Sequence, residues 1–476
     1  MDAATNPLEL SRAEKERMID QAVEWTLDHL DDLSDQPAAN LDGVEELAEQ
    51  LREPLPEEPT SFEELLTVLF EEVIPASVNT IHPGYMAYIP GGGLFHSAVA
   101  DFIANATNRY VGAWFAAPGL VRLEANVVEW FCEMVGYPPS AFGLLTTGGS
   151  MANQIAITTA RRNHLGDDFL DAVIYTSDQS HHSVAKSAVL AGFPAENIRS
   201  IPTDDRFRIR TDALETAVEE DRKAGIEPFL VVANAGSTNT GAVDALGTLA
   251  DICDREGLWL HADAAYGGFF VLTEQGEEIL AGLDRCHSIT LDPHKGLFLP
   301  YGTGSVLVRD GTTLARAHAV DADYMPDWDP DDDPPDFSRL GPELSRDFRG
   351  LRVWLPLKMH GVEPFRRNLA EKLDLAELAA ERLETMDHVR VVATPQLSNL
   401  AFRIEPPNVP GPGLDELNRE IMEWINDRGR VHLSGTTLND RFTIRISILS
   451  VRTHHTDVAN CLDDIEDAIT AVCNRR

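Results

Sequence analysis

Six lysines occur in the 476 residues, and one of them, Lys295, sits in Ser288-Ile-Thr-Leu-Asp-Pro-His294-Lys295-Gly296, just after an apolar run that reads as a strand. Upstream, a second apolar run ends in an acid, in Leu258-Trp-Leu-His261-Ala-Asp263-Ala-Ala265-Tyr. An amine at one strand end and a carboxylate at a neighbouring one are the two groups a pyridoxal phosphate site requires. The amine can hold the cofactor's aldehyde carbon as a Schiff base. The acid can keep the pyridine nitrogen protonated, so that the ring accepts electrons. A carboxylate ending a hydrophobic strand needs a partner in any case, and a pyridinium N–H is a suitable one.

Three further blocks fall where strands should end. Thr146-Thr147-Gly148-Gly149-Ser150-Met151 passes from a strand into a helix. Glycines there let backbone N–H groups approach an anion, and Ser150 adds a hydroxyl. An ordinary glycine turn has the same composition, so the block draws its meaning from its company. Ser177-Asp178-Gln179-Ser180-His181-His182 offers an imidazole to stack on a pyridine ring. A metal pair is the competing reading, but adjacent histidines diverge on most backbones; we read His181 as stacking and His182 as supporting or structural. Ala235-Gly236-Ser237-Thr238-Asn239-Thr240-Gly241 is either a polar turn or, through Thr238, a contact for cofactor or substrate. Ala265 is small enough to lie against the ring face opposite His181.

The elements that must position these groups follow from periodicity. Short apolar segments at 143–147, 172–176, 228–234, 258–263, 288–292 and 304–309 alternate with helical stretches, which predicts an α/β fold with a mostly parallel sheet. Ligands of such sheets gather at the carboxyl ends of the strands, where every block above lies. Residues 8–35 and 44–75 have helical spacing, broken by a proline-rich stretch at 54–59; Thr60-Ser61 followed by Glu63-Glu64 resembles a helix start. We assign 1–80 to an N-terminal helical arm able to pack across another subunit, 81–350 to a large domain, and 351–476 to a small α+β domain. The last has a long helix near 365–386, strands near 389–392, 399–404 and 442–448, and a final helix over 456–472. Residues 319–348 stand apart. Eight aspartates fall within 321–336, with Pro326, Pro330, Pro334 and Pro335 among them. This predicts a mobile segment, either a solvated connector or an active-site lid. It lacks the glycine and closing glutamate of a calcium loop, and no metal site is expected.

Seventy-eight acids oppose 39 lysines and arginines, a formal net charge of −39. Together with scarce lysine this points to a solvated surface adapted to a salt-rich cytoplasm, where salt screens self-repulsion. No basic stripe is present, which excludes ordinary nucleic-acid binding. Five scattered cysteines without a Cys-x-x-Cys pair suit reduced thiols in a cytoplasmic protein. The N-terminus lacks a basic region and apolar signal core, and no run is long enough to span a membrane.

In order and spacing these blocks resemble the group II pyridoxal phosphate-dependent amino-acid decarboxylases, the family of aromatic L-amino-acid and glutamate decarboxylases, over roughly residues 10–470. Further matches are His82-Pro83, Tyr88-Ile89-Pro90, Pro118 with Glu124, and Arg346-x-Phe348-Arg349-Gly350-Leu351-Arg352-x-Trp354. The resemblance implies an aspartate-aminotransferase-like fold and a homodimer acting on an amino acid. It implies that Lys295 carries the cofactor, Asp263 pairs with its ring nitrogen, and His181 stacks with Ala265 behind. Gly149 and Ser150 would bind phosphate, with Thr238 and His294 nearby. Tyr88, Pro90 and Trp114 match the substrate region, and Arg445 matches a position that contacts a substrate carboxylate in some members. Many aromatic decarboxylases carry a proton-donating tyrosine at a loop position that here is Phe337; members with phenylalanine there form an aldehyde by oxidative deamination. Tyr324 is the alternative donor. Asp292 replaces a common asparagine, and Gly296 a common tryptophan. The expected reaction is decarboxylation of an L-amino acid, aromatic favoured, to amine and carbon dioxide. Aldehyde formation, glutamate or aspartate decarboxylation, an aminotransferase or desulfurase of the same fold, and a non-enzymatic cofactor carrier are the alternatives.

Overall fold

The computed structural model describes residues 6–320 and 336–473. Its centre is a seven-stranded sheet: β1 (Phe142–Thr146), β2 (Ala172–Ser177), β3 (Ile198–Ile201), β4 (Glu227–Asn234), β5 (Trp259–Asp263), β6 (Ser288–Leu291) and β7 (Gly304–Val308), in the order β1-β7-β6-β5-β4-β2-β3. β7 runs antiparallel to both neighbours and all other pairs are parallel. Every residue of β2, β5, β6 and β7 is buried, as a sheet covered by helices on both faces demands. The apolar runs that mark these strands in sequence are therefore continuous, not alternating. β3 has no such run: Ile-Arg-Ser-Ile is short and half polar, and only pairing with β2 makes it a strand.

A second, antiparallel sheet contains β8 (Val389–Ala393), β9 (Asn399–Ile404), β10 (Ser434–Leu438) and β11 (Arg441–Ser447), in the order β10-β11-β9-β8. β10 is mostly Gly, Ser and Thr and carries no strand signal. It is held by a tight hairpin whose Asn439 and Asp440 both adopt positive φ, 50° and 61°, the geometry of a two-residue turn that follows the sheet's twist. The helix Gly411–Asp427 also went unpredicted; it buries Leu417, Ile421 and Ile425 on one face of this sheet. The helix Glu363–Glu384 joins the two cores, sending Phe365, Leu369 and Leu373 into the first and Leu375, Ala379 and Leu383 into the second.

At the N-terminus, Ser11 and Glu14 form a capping box on the helix Arg12–Asp31, and Ser61 with Glu64 does the same for Phe62–Thr67. The first helix buries none of its side chains; Trp25 rests on Phe70 with ring centroids 5.6 Å apart. Among the described residues no helix is long and apolar enough to cross a membrane.

The segment 319–348 is described in part. Residues 321–335, Tyr324 included, lie outside the described residues. Residues 336–348 are packed: Phe337 and Leu340 are buried in the main core, and Ser338 donates its N–H to the Gly112 carbonyl. The expectation of a mobile segment through 348 is thus corrected. The aspartates overshadow the Phe-x-x-Leu spacing that anchors residues 336–348 to the core.

Candidate functional site

The carboxyl ends of β1, β2, β4, β5 and β6 open into one cavity of about 290 Å³. Gly149, Ser150, His181, Thr238, Asp263, Ala265, His294 and Lys295 all line it, so the structure gathers every expected cofactor contact. Lys295 stands on a one-turn helix, Pro293–Gly296, directly after β6. Its Nζ donates to Asp292 Oδ2 at 2.8 Å. Burial pulls the ammonium's pKa down, but Asp292, by charge and hydrogen bond, outweighs this and holds it above the ordinary lysine range.

Asp263 ends β5 and is braced by a hydrogen-bond chain whose directions are fixed end to end. Trp259 Nε1 donates to Ser288 Oγ at 3.0 Å, and Ser288 Oγ donates to His261 Nδ1 at 2.9 Å. His261 Nε2 and Thr290 Oγ1 then donate to Asn153 Oδ1 at 3.0 and 2.7 Å. This leaves the amide nitrogen of Asn153 pointing the other way, donating to Asp263 Oδ2 at 2.9 Å and Ser183 Oγ at 3.0 Å. Burial lowers the His261 pKa to about 4, which keeps the ring neutral as the chain requires. The Ser183 hydroxyl passes on to His181 Nδ1 at 2.7 Å. One network therefore sets both the acid and the imidazole, and burial, partly offset by Asp263, holds His181 below the ordinary histidine range.

The glycine turn opens the helix Gly149–His164. Gly148 has φ 151°, where a side chain would be strained. A Cβ on Gly149 would lie 2.9 Å from Asp292 Oδ2 and 3.1 Å from the Ala265 methyl. The turn, its N–H groups and the Ser150 hydroxyl form an anion cradle. With a lysine, a strand-end acid and this cradle in one cavity, the residues fit pyridoxal phosphate. Among the described residues no group of three metal-binding side chains occurs.

The expected substrate residues lie elsewhere. Tyr88, Pro90, Trp114, Phe337 and Arg445 do not line the cavity. Tyr88 is 62% exposed and Trp114 37% exposed, while Pro90 is buried. The Phe337 ring stacks on Phe142 with centroids 6.2 Å apart, under the Arg346 guanidinium. Phe142 starts β1, so Phe337 sits at the opposite end of that strand from the glycine turn; as a substrate contact it is corrected to a core residue in this arrangement. Arg445 is buried and already donating. Nε reaches Asn239 O at 3.0 Å, Nη1 reaches Ser434 Oγ at 2.9 Å, and Nη2 binds the carbonyls of Tyr88 and Thr238. No carboxylate pairs with it among the described residues, and burial pushes its pKa down to about 10.

Sequence reasoning missed Asn153 and treated Asp292 only as a departure. Asn153 was within reach: four residues beyond Gly149 on a helix, it shares the face that looks into the cavity.

The fold and cavity define a pyridoxal phosphate enzyme of the aspartate-aminotransferase type. Residues 45–405 match the pyridoxal-dependent decarboxylase conserved domain. An aromatic-L-amino-acid decarboxylase of Bacillus atrophaeus is 38% identical over 94% of this chain and 93% of its own length. The structure of Oryza sativa TDC with PLP and tryptamine superposes with a TM-score of 0.92 at 26% identity, covering 98% of this chain and 99% of that one. Rhodiola rosea 4-hydroxyphenylacetaldehyde synthase gives 0.90 at 25% identity, covering 98% and 100%. The chain belongs to the pyridoxal-dependent decarboxylase family and is a pyridoxal phosphate-dependent amino-acid decarboxylase.

Proposed function

We propose that the enzyme converts an aromatic L-amino acid into its amine and carbon dioxide, with the cofactor carried on Lys295. The observation behind this reading is the convergence of Lys295, Asp263 and the Gly148–Ser150 turn in one cavity. Bound pyridoxal phosphate supplies the sink for the electron pair left when the Cα–carboxylate bond breaks. The chain's own residues do the rest. Lys295 is the amine that would hold the cofactor through its aldehyde carbon. Asp263, braced by Asn153, keeps a proton on the ring nitrogen. The helix start and Ser150 bind phosphate, His181 and Ala265 confine the ring, and Thr238 and His294 flank it. Arg445, a buried cation with no carboxylate partner among the described residues, ties the Thr238 segment to Tyr88 and Ser434.

The aromatic preference is supported by the Bacillus relative and by Tyr88 and Trp114. Those two residues are exposed, as are the apolar side chains of Phe95, Phe102, Ile103 and Phe115. We propose that a second copy covers them, forming a homodimer that completes the substrate side. The arm of 1–80, whose first helix buries nothing, joins that contact; 81–350 and 351–476 form the large and small domains, a reading supported by the two distinct sheets they carry. The buried, unpaired thiols of Cys132, Cys253, Cys286 and Cys461 agree with a reducing cytoplasm. A second reading, aldehyde formation, draws on the Rhodiola likeness and phenylalanine at 337, although that ring is packed away from the cavity.

Borohydride reduction and peptide mapping should place the pyridoxyl group on Lys295; any other lysine overturns the assignment. Incubation with each of the twenty amino acids, following carbon dioxide, amine, aldehyde and oxygen, should show amine from aromatic substrates. Aldehyde with oxygen uptake selects the second reading, and turnover of glutamate or aspartate refutes the aromatic preference.

A further inference from the structure

The cavity holds a second carboxylate that the roles above leave unused. Asp292 follows β6 and is 1% exposed. Oδ2 accepts the Lys295 ammonium, but Oδ1 has no hydrogen-bond partner. Both oxygens press on the anion cradle: a Cβ on Gly149 would be 2.9 Å from Oδ2, and one on Gly304 would be 2.8 Å from Oδ1. A buried, half-satisfied carboxylate beside a phosphate-binding turn is electrostatically awkward. Like charges in a shared low-dielectric site cannot all stay ionised, and one of them takes a proton.

The surrounding charges do not relieve the conflict. Lys295 is the one ammonium in contact, and its single charge balances Asp292 alone, leaving none for an incoming phosphate. His294 Nδ1 donates to the Thr303 carbonyl at 2.6 Å, so its Nε2, 3.6 Å from Asp292, carries a lone pair. Burial lowers both His294 and His181 below the ordinary histidine range. Asp263 adds another negative charge across the cavity, while Arg352 acts on His294 and Tyr301 on Lys295. The cradle residues Gly148, Gly149 and Ser150 and the facing Gly304 bear no titratable side chain.

We propose that Asp292 makes capture of the cofactor's phosphate proton-coupled: its carboxyl group takes up a solvent proton as the phosphate enters the Gly148–Ser150 turn, and donates that proton to a phosphate oxygen. The orphan Oδ1 is the atom positioned to bear it. Lys295 is released from its ion pair by the same event. An asparagine at 292 would donate from its amide with no proton needed.

The probe is pyridoxine 5′-phosphate, which has no aldehyde and isolates phosphate capture from chemistry at Lys295. Titration calorimetry on the full-length apoenzyme, in two buffers of different ionisation enthalpy at pH 8, counts protons taken up. The wild type should take up about one proton more than Asp292→Asn, and its affinity should fall about tenfold more steeply per pH unit. Asp292→Asn should bind at least about tenfold tighter at pH 8. Equal proton counts in the two proteins, or weaker binding by the variant, overturn the proposal while leaving the cofactor assignment intact. The wild-type count stands without the variant: no proton uptake in the two buffers overturns it as well.

Discussion

The two halves of the candidate site are built differently. On the cofactor side, one chain brings eight expected residues into a single cavity and orients two of them through an unbroken chain of donors from Trp259 to His181. On the substrate side, Tyr88 and Trp114 face outward, Arg445 is spent on backbone carbonyls, and Phe337 is core. The difference teaches where the chemistry is preorganised. Strand ends of a doubly covered sheet cannot move without unpacking the core, so groups placed there are fixed by folding. Groups on connecting segments await a partner or a rearrangement.

Lys295→Ala gives the largest expected effect, a loss of turnover on the order of 10³ or more with no covalent cofactor left, read by absorbance and amine formation. Retained turnover would break the cofactor half of the comparison outright. Phe102→Asp tests the other half. It should yield a monomer by light scattering that still binds pyridoxal phosphate but has lost most of its turnover; a fully active monomer would show that one chain suffices for substrate. Asn153→Ala, which leaves every cavity-lining charge in place, should reduce cofactor affinity or turnover by about 10- to 100-fold, the usual cost of removing a group that orients a site. Unchanged kinetics would mean Asp263 needs no brace.

Phe337→Ala should destabilise the fold by about 3–5 kcal/mol in urea denaturation, the cost of truncating a buried phenyl ring. Phe337→Tyr should leave the ratio of amine to aldehyde unchanged. A raised ratio would show that this ring reaches the reacting carbon in another arrangement. The smallest effect concerns Asp244, which is buried and accepts N–H groups from Ile209 and Asn234 at 2.6 and 2.7 Å. Burial pushes its carboxyl up to about 6, above the ordinary aspartate value. The native state thus keeps a proton that the unfolded chain releases, so this contribution is present at acid pH and lost as pH rises through about 6. Asp244→Asn should flatten that part of a stability profile taken from pH 4 to 7.

Much of the molecule was legible in the linear chain because its causes are local. Buried parallel strands need unbroken apolar runs, and β9, at Asn399–Ile404, was legible from the apolar stretch Leu400-Ala401-Phe402 at its centre. A helix start needs its serine and glutamate, as at Ser61 and Glu64. The blocks around Gly149, His181, Asp263 and Lys295 each end a strand, so periodicity alone set them at one edge of one sheet. Other features depend on residues far apart in sequence. β10 became a strand only through its hairpin and β11. Asn153 acquired a role when β5, β6 and the helix at 182–190 met around it. Phe337, surrounded in sequence by aspartate and proline, was drawn into the core by Phe142 and Arg346, because burying a phenyl ring outweighs the polarity of its neighbours. Asp292 looked like a simple exchange for asparagine until the fold set its unpartnered oxygen against the phosphate turn. The sequence by itself determined six of the seven strands of the large sheet, the cofactor and the strand-end blocks that meet at one cavity, since apolar runs and strand-end motifs are written in consecutive positions. Only the tertiary structure decided which polar atoms found partners, because that depends on directions and distances between elements that no local pattern encodes.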